Sequence, residues 1–407
     1  MNKDISLSRI RTSYIANFSA HYSGAVRVAI VGTRGLPPSY GGYETVADYF
    51  VRYFVEKGHD VIVACEMPSD GPAPEDYRGA KLRYFPFKPP KKYSMRKIYE
   101  GLNDLYFYFF LARKCDVMYV LAGLGTQVLP LIRILNPRIK IVTNNDGIEW
   151  KREKYNFIER ILWKSFIRSS LRFSDLVIYD NPRLAENFPK HNKKKAITIE
   201  YGVEEPKQIA WNISELLEYE KTKNLSELNQ DRFYLVVARL QKDNNTHKII
   251  QGYQLSGSNF PLVVVGDSLD EAYQEYLESI LSDEARGRVY FTGGIYDQAI
   301  LNMLRQHSFA YVHGHSAGGT NPALLEAMVM GSAIIAHDNP FNRNVLDENG
   351  LFFSEPLELS KLIIEFEEKT QLRSQFSSLN KSRALKHFTW ERCMSLHERS
   401  FRILSER

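Results

Sequence analysis

Short apolar runs alternate with helical patterns along most of the chain. In the first half, the runs that predict strands lie at residues 27–32, 60–65, 82–85, 117–121, 140–144, 176–179 and 196–199. The pattern then restarts, with predicted strands at residues 233–238, 262–266, 288–292, 309–312, 332–336 and 350–353. Strands that alternate with helices are typical of parallel sheets. The sequence therefore predicts an α/β fold with two doubly wound, Rossmann-like domains.

A polar, highly charged stretch at residues 205–230 separates the two series of strands and is interpreted as a linker or an outer helix. We therefore place an N-terminal domain at residues 1–204 and a second domain at 231–386, followed by a helical segment at 387–407. Two such domains that face each other make a cleft, and their ligands bind at the carboxyl ends of the strands. Functional residues are expected just after the strands.

The composition, 44% hydrophobic and 25% charged over 407 residues, is that of a soluble globular protein. No run approaches the ~18–20 apolar residues that span a bilayer, and no signal peptide is expected. The cysteines are far apart and lack any C-x-x-C spacing, which favours reduced thiols in a cytosol over disulfides or a zinc site. They are Cys65, Cys115 and Cys393.

Charge is distributed unevenly. Residues 1–204 hold 32 lysines and arginines against 21 aspartates and glutamates, and the rest of the chain holds 21 against 27. Residues 81–97 carry seven cations and no acid, next to an aromatic run at 105–110. A second stripe recurs every four residues at Arg160, Lys164, Arg168 and Arg172. The pattern fits an anionic membrane surface or a solvated helix face equally, and nucleic acid less well because no binding module accompanies it.

A glycine-rich loop follows the first predicted strand at residues 32–42 and leads into a helix. Backbone amides in such a loop can approach phosphate oxygens, and the helix dipole favours the anion. The loop lacks the G-x-G-x-x-G dinucleotide pattern. We interpret Gly41 and Gly42 as phosphate or sugar contacts, and the alternative is a tight structural turn with Glu44 complementing the dipole.

Asp146 and Glu149 follow the fifth predicted strand, close to an aromatic residue and two cations. Carboxylates at this place can orient or deprotonate an acceptor hydroxyl, so both are candidate catalytic residues. The alternative is a helix start, with Asp146 as the cap and Glu149 as its capping-box partner.

Two segments of the second half offer anion contacts. Arg239 follows the first strand there, and an arginine at a strand end can grip a diphosphate. A glycine-rich turn at residues 314–321 leads into a helix that starts at Pro322, so its amides lie at the positive helix end. Glu326 lies one turn further on, as a ribose ligand or an exposed helical glutamate. His313 and His315 lack a third metal ligand, so no metal is expected.

Taken in order, these segments resemble the retaining family-4 glycosyltransferases of the GT-B fold, and more narrowly the rhamnosyltransferase branch that builds bacterial cell-surface polysaccharides. The resemblance runs from about residue 26 to the end. It is carried by residues 32–35, 40–45, 146–152, 201–203, 238–240, 243–245, 318–322, 325–328 and 388–390.

The resemblance implies roles for individual residues. Asp146 would lie near the reacting hydroxyl, Glu326 would bind the ribose, and the turn that contains Ile295 would meet the base. No metal is implied, because protein cations and helix dipoles stabilise the leaving diphosphate. The groups implied to hold that diphosphate are Arg239 and the amides near Gly319, Thr320 and Asn321.

The chain departs from the family pattern at two positions. Gly318 stands where the family has the first of two glutamates, and Asn244, among the predicted donor-binding residues, stands where it has a lysine. The rhamnosyltransferase branch is similar at both positions, which implies dTDP-rhamnose as the donor and a lipid-linked saccharide as the acceptor, at the cytosolic membrane face. The alternatives are a UDP-sugar-dependent transferase, a nucleotide-sugar epimerase and a silent sugar-nucleotide sensor.

Overall fold

The computed structural model describes residues 24–38, 41–121, 124–151, 155–188, 195–207, 209–268 and 270–406, except the side chains of 93 and 94. The N-terminal residues, on which the absence of a signal peptide was predicted, lie outside this set. The chain divides into two units, Met1–Tyr201 with Trp390–Arg407, and Gly202–Thr389. Among the described residues, no helix has both the length and the apolar character needed to cross a bilayer.

The first unit is built on an eight-stranded sheet in the order β3-β4-β2-β1-β5-β6-β7-β8. All neighbouring strands are parallel except β3 and β4. The strands are β1 Arg27–Val31, β2 Asp60–Cys65, β3 Asp76–Tyr77, β4 Ala80–Tyr84, β5 Val117–Leu121, β6 Lys140–Asn145, β7 Leu176–Tyr179 and β8 Ala196–Thr198.

Helices cover both faces of this sheet. They are α1 Gly42–Glu56, α2 Tyr93–Leu111, α3 Leu129–Leu135 and α4 Phe157–Phe173. Alternate residues of β1 belong to different cores: Val28 and Ile30 pack in the cluster that holds Phe50 of α1. Ala29 and Val31 pack on the other face. Burial on both faces explains why the strand reads as a continuous apolar run.

The second unit has a six-stranded parallel sheet in the order β11-β10-β9-β12-β13-β14. Its strands are β9 Tyr234–Val237, β10 Leu262–Val265, β11 Val289–Gly293, β12 Ala310–His313, β13 Ile334–His337 and β14 Leu351–Phe353. Its helices are α5 Ile213–Glu218, α6 Thr246–Ser256, α7 Glu271–Ser279, α8 Asp283–Arg286, α9 Gln298–His307, α10 Pro322–Val329, α11 Pro340–Leu346, α12 Pro356–Glu368 and α13 Thr370–His387. The predicted α/β fold with two parallel-sheet domains is confirmed.

Residues 205–230, predicted as a linker or an outer helix, belong to the second unit and contain the short helix α5. Leu216, Leu225 and Leu228 are buried, so three leucines anchor a segment whose average composition is polar. The strand β3 is not among the predicted strands, because two residues are too few to show a pattern.

The last helix, α14 Trp390–Ser405, packs on the first unit against α1. Trp390 stacks on Tyr49 with ring centroids 4.1 Å apart, and Phe401 lies in the core with Phe50. The helix begins three residues after the predicted 387, because α13 continues to His387.

Asp104 is a buried carboxyl in the middle of α2. Burial raises the pKa of Asp104 well above its usual range, and the charges of Glu100 and Glu66 act in the same direction. The Asn103 amide donates to its Oδ1 at 3.3 Å. The folded state therefore holds the proton at pH values where an unfolded chain has already lost it.

We expect Asp104→Asn to raise the thermal midpoint at pH 7. The pKa of Asp104 is higher in the folded state than in the unfolded state, where it is about 3.9. The wild-type protein therefore loses stability as the pH rises above that unfolded-state pKa. The amide avoids that cost, so its advantage over the wild type should shrink as the pH falls towards about 4. Thermal unfolding at both pH values tests this, with the exposed Asp70→Asn as control. An advantage that is independent of pH would contradict it.

Candidate functional site

The loop between β1 and α1 is braced by a buried glutamate. The Glu44 carboxylate accepts from the Thr33 hydroxyl at 3.2 Å and from the Arg34 amide at 2.9 Å. Gly41 has φ +129°, and a Cβ there would lie 2.3 Å from the Glu44 carboxylate. Gly41 and Gly42 are exposed at the start of α1, while residues 39 and 40 lie outside the described residues. The hydrogen bonds to Glu44 therefore fix the conformation of the loop.

Asp146 lies immediately after β6 and meets a phenol from α1. The Tyr43 hydroxyl donates to Asp146 Oδ1 at 2.5 Å. Burial raises the pKa of Tyr43 well above its usual range, and the negative charges of Asp146, Glu149 and Asp180 raise it further. The phenol therefore stays protonated and donates. The structure thus brings both predicted catalytic carboxylates close to one tyrosine. The carboxylate of Asp180 is a third acidic group near the same phenol.

Glu149 has a contact of its own in this cluster. It opens a short 3-10 turn, Glu149–Lys151, and its carboxylate accepts from the Tyr155 hydroxyl at 3.1 Å. Among the described residues of this cluster, the sequence did not single out Tyr43 and Tyr155 as partners of these carboxylates, because tyrosines are common and these contacts form between separate segments.

A buried tyrosine and histidine join α14 to the same sheet. The Tyr119 hydroxyl lies 2.9 Å from His397 Nε2, and His397 Nδ1 lies 2.9 Å from the Cys393 carbonyl. Burial lowers the pKa of His397 to about 4. The neutral ring therefore donates a hydrogen bond from Nδ1 and accepts one at Nε2 from the Tyr119 hydroxyl. The last helix thus contributes to the polar network of the first unit.

In the second unit, Arg239 follows β9 and is exposed. No carboxylate of the described part of the chain pairs with it. The strand ends approach closely there, since a Cβ on Gly266 would lie 1.8 Å from the Ala238 carbonyl. The guanidinium is therefore available to an anionic ligand at the carboxyl end of the sheet.

Asn244 joins two loops. Its amide donates to the Arg239 carbonyl at 2.7 Å, and its Oδ1 lies 2.8 Å from His315 Nδ1. The residue is 9% exposed. The side-chain amide of Asn244 thus links two loops of the protein, and its contact with a donor stays a prediction.

Three further asparagines hold the turn after β12. Asn245 donates to the Gly314 carbonyl at 2.8 Å. Asn339 and Asn342 donate to the His315 carbonyl at 2.9 and 3.0 Å. Sequence reasoning missed all three, because they act on backbone groups that are distant along the chain. The turn therefore has its position set by side-chain amides.

The turn leads into α10. Asn321 caps this helix by accepting from the Ala323 amide at 2.9 Å, and Pro322 is its first residue. Gly319 and Thr320 are buried just before the cap. The structure thus places all three predicted residues at the positive end of the helix dipole.

Glu326 of α10 is tied to a buried cation. Arg305 of α9 is 1% exposed and donates to the Glu326 carboxylate and to Asn302 Oδ1, the latter at 3.0 Å. The Glu326 side chain remains 41% exposed. A charge-assisted bond from a buried arginine orients this partly exposed carboxylate, and the role of Glu326 as a ribose ligand stays a prediction. Sequence reasoning missed Arg305.

Ile295 is buried within the turn that is predicted to meet the base. This turn is held by Asp267, which accepts from the Gly294 amide and from the Tyr296 hydroxyl, both at 2.6 Å. Lys221 donates to the Gly294 carbonyl at 2.7 Å. The contact of this turn with a base stays a prediction. Among the described residues, no group of three or more His, Cys, Asp or Glu is placed to hold a metal.

Two family matches cover most of the chain. Residues 25–204 match the family described as "Domain of unknown function (DUF1972)". Residues 218–383 match "Glycosyl transferases group 1". The second unit is therefore similar to the glycosyltransferase group 1 family over most of its length.

One sequence relative and several solved structures are similar to this chain. An uncharacterized glycosyltransferase of Methanocaldococcus jannaschii is 27% identical over 41% of the chain. That match spans 44% of the relative's length, so the chain covers less than half of it. Sucrose-phosphate synthase from Thermosynechococcus elongatus superposes with a TM-score of 0.75 at 15% identity, over 93% of this chain and 99% of that one. Anabaena HepE in complex with UDP gives 0.68 at 15%, over 94% and 100%. The fold is the GT-B fold.

We expect Asn244→Ala to lower the free energy of unfolding by about 1–3 kcal/mol, because two hydrogen bonds worth about 0.5–1.5 kcal/mol each are lost. The neighbouring exposed Lys242→Ala should change it by less than about 0.5 kcal/mol. Urea denaturation of both variants measures the difference. Equal stability of the two variants would show that the two hydrogen bonds of Asn244 contribute nothing to the free energy of unfolding.

Proposed function

We propose that this chain is a glycosyltransferase that moves a sugar from a nucleotide donor to an acceptor hydroxyl with retention of configuration. The proposal is based on the arrangement of three groups in the second unit. In the segment that matches the glycosyltransferase group 1 family, an exposed arginine, a helix N-terminus and an oriented carboxylate follow the strands of one parallel sheet.

The donor diphosphate is proposed to bind to Arg239 and to the amides of Gly319 and Thr320. These groups supply a cation and a positive helix end to two phosphates. Glu326, oriented by Arg305, accepts hydrogen bonds from the ribose hydroxyls. No metal is proposed, because the arginine and the helix dipole meet the charge of the leaving group.

The proposed sugar is L-rhamnose from dTDP-rhamnose, on the strength of the two departures from the family pattern. Gly318 has φ +140°, a conformation that glutamate would adopt only with strain. Asn244 is held between two loops where the family has a lysine. The site thus lacks a sugar-binding carboxylate and a phosphate-binding cation at these positions, which favours a deoxysugar donor.

The transfer step is proposed to be a front-face displacement. The acceptor oxygen bonds to the anomeric carbon as the bond from that carbon to the diphosphate oxygen breaks. The hydroxyl proton passes to the leaving diphosphate, and Asp146 orients the hydroxyl, with its own carboxylate held by Tyr43. Glu149 and Asp180 add negative charge, which favours a developing positive charge on the sugar.

The acceptor is proposed to be a lipid-linked saccharide of cell-surface polysaccharide synthesis, at the cytosolic face of the membrane. The basic first half of the chain supports this setting. A second candidate is a UDP-sugar-dependent transferase, which the complexes of Anabaena HepE with UDP and UDP-glucose favour.

We expect dTDP to stabilise the protein against heat more than UDP or GDP does. A ligand at 100 times its dissociation constant adds about 2.7 kcal/mol of stability, which shifts the midpoint by several degrees. A panel of the three nucleotides in a thermal-shift assay measures this. A shift with UDP alone would replace rhamnose by a UDP-sugar, and no shift with any nucleotide would contradict the donor site.

We expect Asp146→Asn to reduce turnover at least about tenfold while the nucleotide-induced thermal shift is retained, because the amide carries no negative charge and orients the acceptor hydroxyl less strongly. The assay is acceptor-dependent release of nucleoside diphosphate. Asp70→Asn, an exposed carboxylate on the same unit, is the matched control and should keep wild-type turnover. Unchanged turnover in Asp146→Asn would remove this residue from the mechanism.

A further inference from the structure

An apolar groove opens along α2. It encloses about 880 Å³, and of the described residues that line it only Lys88 is charged. Its exposed members have side chains that are 37–67% accessible: Phe87, Met95, Ile98, Leu102, Tyr106 and Phe109. A contiguous apolar surface of this kind marks an interaction site on a soluble protein, because leaving it in water is costly.

Exposed apolar side chains also lie on two neighbouring helices. The helix α3 packs against both α2 and α4, so the three helices form one layer. Leu131 and Ile134 of α3 are 51% and 74% exposed, and Phe157 and Ile158 of α4 are 77% and 68% exposed. We call the outer surface of these three helices, with the groove, the apolar face.

The charge around the apolar face is positive. Lys91 and Lys92 precede α2 and are exposed, as are Lys164 and Arg168 on α4. The neighbouring acids are neutralised in ion pairs: Glu66 and Glu100 share Arg96, Glu100 also pairs with Arg34, and Glu159 pairs with Lys97. The uncompensated charge of the surroundings is therefore cationic, and it complements an anionic partner.

We propose that the apolar face docks on the anionic phospholipid leaflet of a membrane, and that the groove of α2 receives a lipid acyl chain. Hydrocarbon chains match the lining, and phosphate headgroups match the surrounding lysines. The aromatic rings of Tyr106 and Phe109 suit the boundary between headgroup and hydrocarbon. This surface rests on the proposed function for its setting, but the binding itself involves no sugar transfer.

The first experiment measures co-sedimentation of the full chain with vesicles of phosphatidylglycerol and phosphatidylcholine, and with vesicles of phosphatidylcholine alone. The wild type should bind the anionic vesicles more tightly, and salt should weaken that binding. Ile98→Glu with Leu102→Glu should weaken it at least about tenfold, since two exposed apolar side chains no longer enter the lipid. Leu255→Glu, an equally exposed leucine of the second unit, is the matched control and should bind as the wild type does.

A second variant separates charge from apolar contact. Lys91→Ala and Lys92→Ala should each weaken binding to the anionic vesicles about fivefold, and leave the weak binding to phosphatidylcholine unchanged. Lys223→Ala, an exposed lysine of the second unit, is the control. These alanine variants retain the apolar groove, so they keep the test decisive if the glutamate variant does not fold.

Weakened vesicle binding in both sets of variants, with the nucleotide-induced thermal shift retained, supports the docking face. Absence of wild-type binding, equal binding by variants and controls, or a dimer in sedimentation velocity that the glutamate variant dissociates would each overturn it. The dimer would identify a second copy of the chain as the occupant. None of these outcomes touches nucleotide binding or Asp146→Asn turnover, so failure here and failure of the proposed sugar transfer are distinguishable.

Discussion

Burial of both faces of two parallel sheets is the constraint on which the rest of this molecule depends. When helices cover each face, the side chains in the middle of a strand are mostly apolar, and polar groups concentrate towards the strand ends. Asp146 after β6, Arg239 after β9 and His315 after β12 all obey this rule. The candidate chemistry of each unit is therefore confined to the carboxyl edge of its sheet.

Groups at that edge are themselves partly buried, so each needs a partner. The Glu44 carboxylate accepts hydrogen bonds from its own loop, and the Asn244 amide is hydrogen-bonded to two other loops. The Glu326 carboxylate is paired with Arg305. These contacts are satisfied by the protein alone, without a ligand. They set the positions of the loops that carry the exposed groups: Asn244, for example, holds the backbone carbonyl of Arg239.

The apolar face has a different physical origin. The inner residues of α2, such as Phe107 and Leu111, already cover the sheet. The outer residues Ile98 and Leu102 add nothing to that core and remain in water. Folding of the unit does not explain them, whereas an external hydrocarbon phase does, and the lysines nearby select an anionic one.

The sequence by itself determined most elements of this protein, because apolar runs and helical patterns are local: among the described residues, thirteen of the fourteen strands follow from them. It also indicated Asp146 and Arg239, which follow strands, and Glu326, which lies in the helix after β12. Only the tertiary structure decided their partners. Tyr43 lies 103 residues from Asp146 and Arg305 lies 21 from Glu326. Packing brings such pairs together, and no local pattern encodes a contact between side chains that distant along the chain.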